Sequence, residues 1–156
     1  MFYPAEPVLS VENEMHRRRS ISMSGLHFTP IAHLSAGMDG ALPVLELEER
    51  YTSFCICRNG KVEYFIYWPV KEGCEREYFA IRELMASSLC RTTTVRVTGS
   101  CADASVLKRI AAETLSSLEP LGIPDSVTVR GDIRSPVSSA SVVRAVSTAL
   151  MALTGD

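Results

Sequence analysis

The chain contains no glycine-rich phosphate motif. Neither GxGxxG nor GxxxxGK[ST] occurs in its 156 residues, which excludes the two commonest backbone cradles for a pyrophosphate. GxSxG is also absent, so there is no serine elbow. Only 3 histidines are present. His16, His27 and His33 all fall near the start of the chain, away from any serine nucleophile, and read as surface or packing residues. No apolar run approaches the ~20 residues that a membrane-spanning helix needs. The stretch from Met1 to Glu12 lacks the basic start and apolar run of a secretory signal.

Cysteine is sparse and unpatterned. The 5 cysteines, Cys55, Cys57, Cys74, Cys90 and Cys101, are odd in number and form no CxxC. Cys55 and Cys57 share one face if their segment is a strand, but no local His or Cys completes a metal set. They read as small buried hydrophobes in a reducing compartment, and the expected location is the cytoplasm. Charge of one sign is lacking too. The formal net charge of −2 gives no broad field toward nucleic acid or an anionic membrane. No internal repeat or low-complexity tract occurs.

What is present is a core. Hydrophobic residues make up 46% and charged residues 22% of the chain, which suits an ordinary globular domain. Residues 1–41 form a distinct N-terminal segment. Val8 to Ser22 reads as a solvated helix ended by Gly25, and the run Arg17-Arg18-Arg19 beside Glu12 and Glu14 as part of its solvent face. His27 to Ile31 reads as a short strand, limited by Pro30 to an edge.

From residue 42 to 156 the pattern is that of one α/β domain. Val44 to Glu48 alternates apolar and acidic residues, as a half-exposed strand does. Thr52 to Cys57 is β-prone, Asn59-Gly60 is a hairpin signal, and Val62 to Trp68 alternates again. These predict an antiparallel meander. A helix is expected over 75–89, with Tyr78, Ile81, Leu84, Met85 and Leu89 inward. A strand over 92–98 follows, then a helix capped near Asp103 and running to about Leu118. Ser126 to Arg130 predicts a fifth strand and Ser138 to Leu153 a last helix, with Val142, Val143, Val146, Leu150 and Leu153 inward. Strands that alternate with helices join a sheet in parallel through right-handed crossovers. The expected order is β-β-β-α-β-α-β-α around a mixed five-stranded sheet.

Chemistry is thin. On a strand Glu46 and Glu48 point the same way, and with Glu49 they could hold a cation or act as an acid/base pair. The favoured reading is an exposed edge strand whose charge blocks edge-to-edge pairing. Val97-Thr98-Gly99-Ser100-Cys101-Ala102 is a strand-to-helix turn, a place that favours anions, though one glycine is a weak signal.

This order, with four stretches of sequence, resembles the second domain of actin-like ATPases, which has the ribonuclease H-like fold. It is most similar to the PilM-type pilus assembly proteins and the cytoplasmic part of the type II secretion L component. Val44-Leu45-Glu46-Leu47-Glu48-Glu49, Tyr51-Thr52-Ser53-Phe54-Cys55-Ile56 and Asn59-Gly60-Lys61-Val62 resemble the family's second phosphate hairpin and the strand after it. Trp68-Pro69-Val70 resembles the end of the third strand. Val97-Thr98-Gly99-Ser100 resembles the adenosine-side TGG turn. Leu121-Gly122-Ile123-Pro124 and the helix from Ser141 to Leu153 resemble the C-terminal end. Gly25-Leu26-His27-Phe28 resembles the exit from the first domain.

The resemblance implies that Thr52, Thr98, Gly99 and Ser100 stand where a nucleotide would be held. It also exposes departures. The hairpin has Glu46 or Leu47 near the family's Asp and Glu49 near its Gly, and Ser100 replaces the second glycine of TGG. Acidic groups there repel phosphate, and the missing glycine removes the close backbone approach. The expectation is a non-enzymatic scaffold or protein-binding domain with a degraded nucleotide site. It would have no catalytic residues, metal or cofactor, and it would bind a protein partner such as an assembly or inner-membrane platform component. Nucleic acid and direct membrane insertion are not expected. Two alternatives stay open. One is an enzyme or nucleotide binder, binding or hydrolysing a nucleotide at an atypical site around Glu46, Glu48, Thr52 and Gly99; the other is an unrelated ferredoxin-like domain. Strand order separates them: the ribonuclease H-like reading requires strand 93–98 to run parallel beside strand 44–48.

Overall fold

A computed structural model describes residues 28–36, 38–123 and 136–154. The expected helix over 8–22, the arginine run and the strand expected over 126–130 lie outside these residues.

The first described element contradicts the sequence reading. Residues 29–33 form a helix, α1 (Thr29–His33), not a strand, with Pro30 in its first turn. Proline is at home there, because its fixed φ is already helical and its missing N–H would have had no partner. Phe28, Ile31 and Ala32 bury their side chains with Leu42, Val44, Cys55 and Cys57 in one core cluster.

The meander follows as β1 (Leu42–Leu47), β2 (Tyr51–Arg58) and β3 (Lys61–Pro69). Asn59 and Gly60 turn β2 into β3 with φ of 50° and 77°, both positive as a type I′ turn requires. Next come α2 (Gly73–Ala86), a 3-10 turn at Leu89–Arg91, β4 (Val95–Thr98), α3 (Ala104–Thr114), β5 (Leu118–Pro120) and α4 (Pro136–Thr154). The sheet order is β3-β2-β1-β4-β5. β1 pairs antiparallel with β2 and parallel with β4, through Val44–Arg96, Leu45–Val97 and Glu46–Thr98. β5 is parallel to β4. This order and polarity are those of the ribonuclease H-like fold, and a ferredoxin-like arrangement is excluded.

β1 is therefore the central strand and not an edge. All six of its residues are buried. Leu45 and Leu47 pack into the cluster under α2 and α3, and Leu42 and Val44 into the cluster with α1 and α4. A strand buried on both faces reads as a near-continuous apolar run. The single acidic residue within β1 made that run look like alternation.

Three further expectations change. The helix expected to reach Leu118 stops at Thr114, because Leu115 takes a left-handed conformation at φ 55° as its C-cap. Leu118 then opens β5 rather than closing a helix. On α2 the fully buried positions are Ala80 and Leu84, while Tyr78 is 59% and Met85 53% exposed. On α4, Val143 is buried but Leu153 is exposed.

The cap at Asp103 is as expected. Its Oδ1 accepts hydrogen bonds from the backbone N–H groups of Ser105 at 2.8 Å and Val106 at 2.9 Å, and from the Ser105 hydroxyl at 2.6 Å. The Ser105 hydroxyl, then the Val106 N–H, hold the Asp103 carboxyl below the ordinary aspartate value. A group depressed in the folded state adds stability above its unfolded pKa and loses it as pH falls through the folded value. Asp103→Ala is thus expected to lower the urea midpoint at neutral pH, with the gap to the parent closing in acid. A gap of equal size at both pH values would contradict this role of the cap.

Candidate functional site

In an open sheet with parallel strands, ligands collect outside the strand C-termini, where the connections leave in opposite directions. Here that point lies between β1 and β4. β1 leads into the β1–β2 turn on one side, and β4 leads into Gly99-Ser100 and α3 on the other. The sequence-predicted residues Thr52, Thr98, Gly99 and Ser100 all gather at this place.

Gly99 holds the two turns together. Its φ is +108°, and a Cβ built on it would lie 2.2 Å from the Leu47 carbonyl oxygen. Only a glycine meets both demands. With the backbone this close, the Cys101 N–H donates to the Leu47 carbonyl at 3.0 Å. Ser100 Oγ donates to Glu48 Oε2 at 2.5 Å, so the residue in place of a second glycine is bonded to the acidic hairpin.

The hairpin is closed in turn by a residue the sequence reading did not single out. Arg76 Nε, from α2, donates to the Glu48 carbonyl at 2.8 Å, and its Nη2 donates to the Glu49 carbonyl at 3.2 Å. The Glu48 N–H is taken by the Tyr51 carbonyl at 3.0 Å. Thr52 is buried, and its hydroxyl donates to the Arg76 carbonyl at 3.3 Å. No local signal marks Arg76, since it lies 28 residues from Glu48 and meets it only when α2 docks on the sheet.

The acidic trio does not act as one group. Glu46 is 1% exposed and accepts a hydrogen bond from Ser53 Oγ at 3.0 Å. Glu48 is half-buried and engaged by Ser100, and Glu49 is exposed. Among the described residues no group of three or more His, Cys, Asp or Glu side chains could hold a metal ion. Beside the hairpin, burial and then the Glu48 carboxylate push the Tyr51 hydroxyl up to about 12, with a smaller contribution from Tyr67. This tyrosine therefore stays neutral near pH 7 and is no ready base.

The junction thus presents the Glu48 and Glu49 carboxylates, while its carbonyl oxygens are taken by Arg76 and Cys101. Several of its own donors, the N–H groups of Glu48 and Cys101 and the hydroxyls of Thr52 and Ser100, are already paired within the protein. The acidic side chains oppose the approach of a phosphate.

The sheet order, its polarity and the position of this junction define the protein as an α/β domain of the ribonuclease H-like class. No protein-family model matches the chain. No curated protein matches it either. Among solved structures, the chain is similar to the ethanolamine utilization protein EutJ from Carboxydothermus hydrogenoformans, at 10% identity and a TM-score of 0.48. The likeness covers 78% of this chain and 53% of that one, so the chain spans about half the length of that protein. No helix among the described residues is long and apolar enough to cross a membrane.

Proposed function

We propose that this chain is a non-enzymatic, protein-binding domain of the actin-like kind, acting in the cytoplasm as a scaffold, with its nucleotide turns closed. The observation that carries the reading is the internal pairing of the two turns. Arg76 occupies the Glu48 and Glu49 carbonyls and Ser100 the Glu48 carboxylate. A phosphate at this turn would sit against the Glu48 and Glu49 carboxylates, and the Ser100 hydroxyl it could use is already given to Glu48. The sequence resemblance to PilM-type and secretion L-component proteins supports a partner in an assembly or inner-membrane platform.

Calorimetric titration with ATP and Mg²⁺ tests the reading. The expected result is no heat beyond dilution. Micromolar binding, weakened when Ser100→Trp alters the junction, would instead establish a nucleotide binder with an atypical site.

A further inference from the structure

On the opposite flank of the sheet, β3 is an outer strand. Among the described residues it pairs with β2 alone. An edge of this kind offers backbone groups on which another extended chain can align. Two side-chain features lie along it, and neither serves the junction of β1 and β4.

The first is a stacked cation. Trp68 of β3 and Phe79 of α2 lie face to face, with centroids 5.6 Å apart and planes 3° from parallel. The Arg82 guanidinium sits 5.4 Å from the Trp68 ring centroid, 5.6 Å from Phe79 and 5.9 Å from Tyr78. Three rings fix this charge at the surface. The ion pairs of the described residues join Arg58 to Glu63, Arg96 to Glu119 and Arg109 to Glu77, and none uses Arg82. A guanidinium outside any ion pair offers a planar fork of N–H groups for a two-point bond to a carboxylate.

The second is a groove. Tyr64, four positions before Trp68 and so roughly 13 Å away along the strand, borders an open depression of about 460 Å³ lined by Ile56, Ala86, Ser87, Ser88 and Leu89 over the fully buried Phe54. The Tyr64 hydroxyl donates to Glu83 Oε1 at 2.6 Å, which ties up that carboxylate at the rim. What remains open is a mixed floor, with Ile56, Ala86 and Leu89 beside Ser87 and Ser88. Exposed Tyr, Arg and Met side chains are the types that dominate protein interfaces, and Tyr78, Arg82 and Met85 stand here at helical spacing.

We infer that the β3 edge, Arg82 and the Tyr64 groove form one docking site for an extended protein segment. That segment carries an acidic residue about four positions from a large apolar one. The carboxylate meets Arg82, and the apolar side chain enters the groove. A polyanionic nucleic acid is a poor match, since Glu75, Glu77 and Glu83 share the helix with this single stacked arginine. The inference rests on the protein-binding reading and names the chemistry of the partner.

Short random peptides displayed in a library and selected on the immobilised full chain test it. The selected peptides are expected to pair Asp or Glu with Leu, Ile, Phe or Met at the stated spacing. A synthesised winner should shift the emission of Trp68, the only tryptophan in the chain. Arg82→Glu should weaken it roughly tenfold or more, with Arg82→Lys in between because an ammonium lacks the planar fork. Arg82 is exposed, and a circular dichroism spectrum equal to the parent's shows that each variant is folded. Failure to select peptides, selection of basic or purely apolar peptides, equal affinity for Arg82→Glu, or displacement of the winner by a single-stranded oligonucleotide would each overturn the assignment. The ATP titration reads a different part of the sheet. Failure here with no nucleotide heat removes this site alone, whereas nucleotide heat removes the non-enzymatic reading whatever the peptides do.

Discussion

Gly99→Val is expected to destabilise the domain by about 2–6 kcal/mol, from backbone strain of ~1–3 and forced overpacking of ~1–3, each taken at its usual range. The φ of +108° disfavours any L side chain, and a Cβ would stand 2.2 Å from the Leu47 carbonyl oxygen and 2.7 Å from its carbon. Those atoms are backbone of the central strand, so they cannot turn aside as a flexible side chain would. Moving β4 away from Leu47 would strain the Cys101-to-Leu47 hydrogen bond and the β1–β4 register. Since a domain has only ~5–15 kcal/mol in total, the variant should be largely unfolded or melt far below the parent. Urea denaturation followed by circular dichroism checks this. A midpoint within error of the parent's would mean that the two turns are not in contact. A practical consequence concerns nucleotide tests: bulky substitutions at Gly99 would abolish any binding by unfolding, so Ser100 is the informative position.

Phe54→Ala is expected to cost about 3–5 kcal/mol, the usual range for truncating a buried aromatic. Phe54 is fully buried in the middle of β2, opposite Leu45 of β1 and Ile66 of β3. Its ring lies 6.1 Å from that of Tyr64. Strands on both sides hold the backbone in place, so the void cannot collapse easily, and the cost should fall toward the upper part of the range. The urea midpoint should drop with the slope unchanged, since the same surface is exposed on unfolding. A loss below about 1 kcal/mol would show that the core under α2 is loosely packed or that Tyr64 refills the site.

Much of the fold was legible because its signals are local. The Asn59-Gly60 turn needs positive φ at two successive residues, and the sequence places there two that tolerate it. The Asp103 cap needs only a carboxylate beside the first free N–H groups of a helix. The order of the meander and of α2, β4 and α3 follows from such signals, and the resemblance to the ribonuclease H-like fold is what put β4 beside β1 in parallel. The candidate turns at 47–52 and 98–101 were found from their resemblance to phosphate turns, and the structure does bring them together.

Two of the misreadings share one cause: neighbours distant in the chain. Val44 to Glu48 was taken for a half-exposed edge because Glu46 interrupts an apolar run. In the sheet Glu46 is buried between β2 and β4, where Ser53 bonds it. Tyr78 and Met85 fit the helical stripe on paper, but α2 lies on the sheet through Ala80 and Leu84. Which arc of a helix is covered depends on where the helix docks. His27 to Ile31 was given to a strand, with Pro30 read as limiting it to an edge, but proline serves equally well in the first turn of the helix Thr29–His33.

The sequence by itself determined the α/β class, the three-stranded meander with its Asn59-Gly60 turn, the Asp103 cap and the strand-to-helix turn at Gly99. Each depends on residues within a few positions of one another, and short-range sterics and hydrogen bonding decide them. Only the tertiary structure decided that β1 is central, that Arg76 closes the acidic hairpin from 28 residues away, and that Arg82 lies over three rings beside an outer strand. Those facts come from packing between segments far apart in the chain. That packing depends on which faces bury together, and no local pattern encodes it.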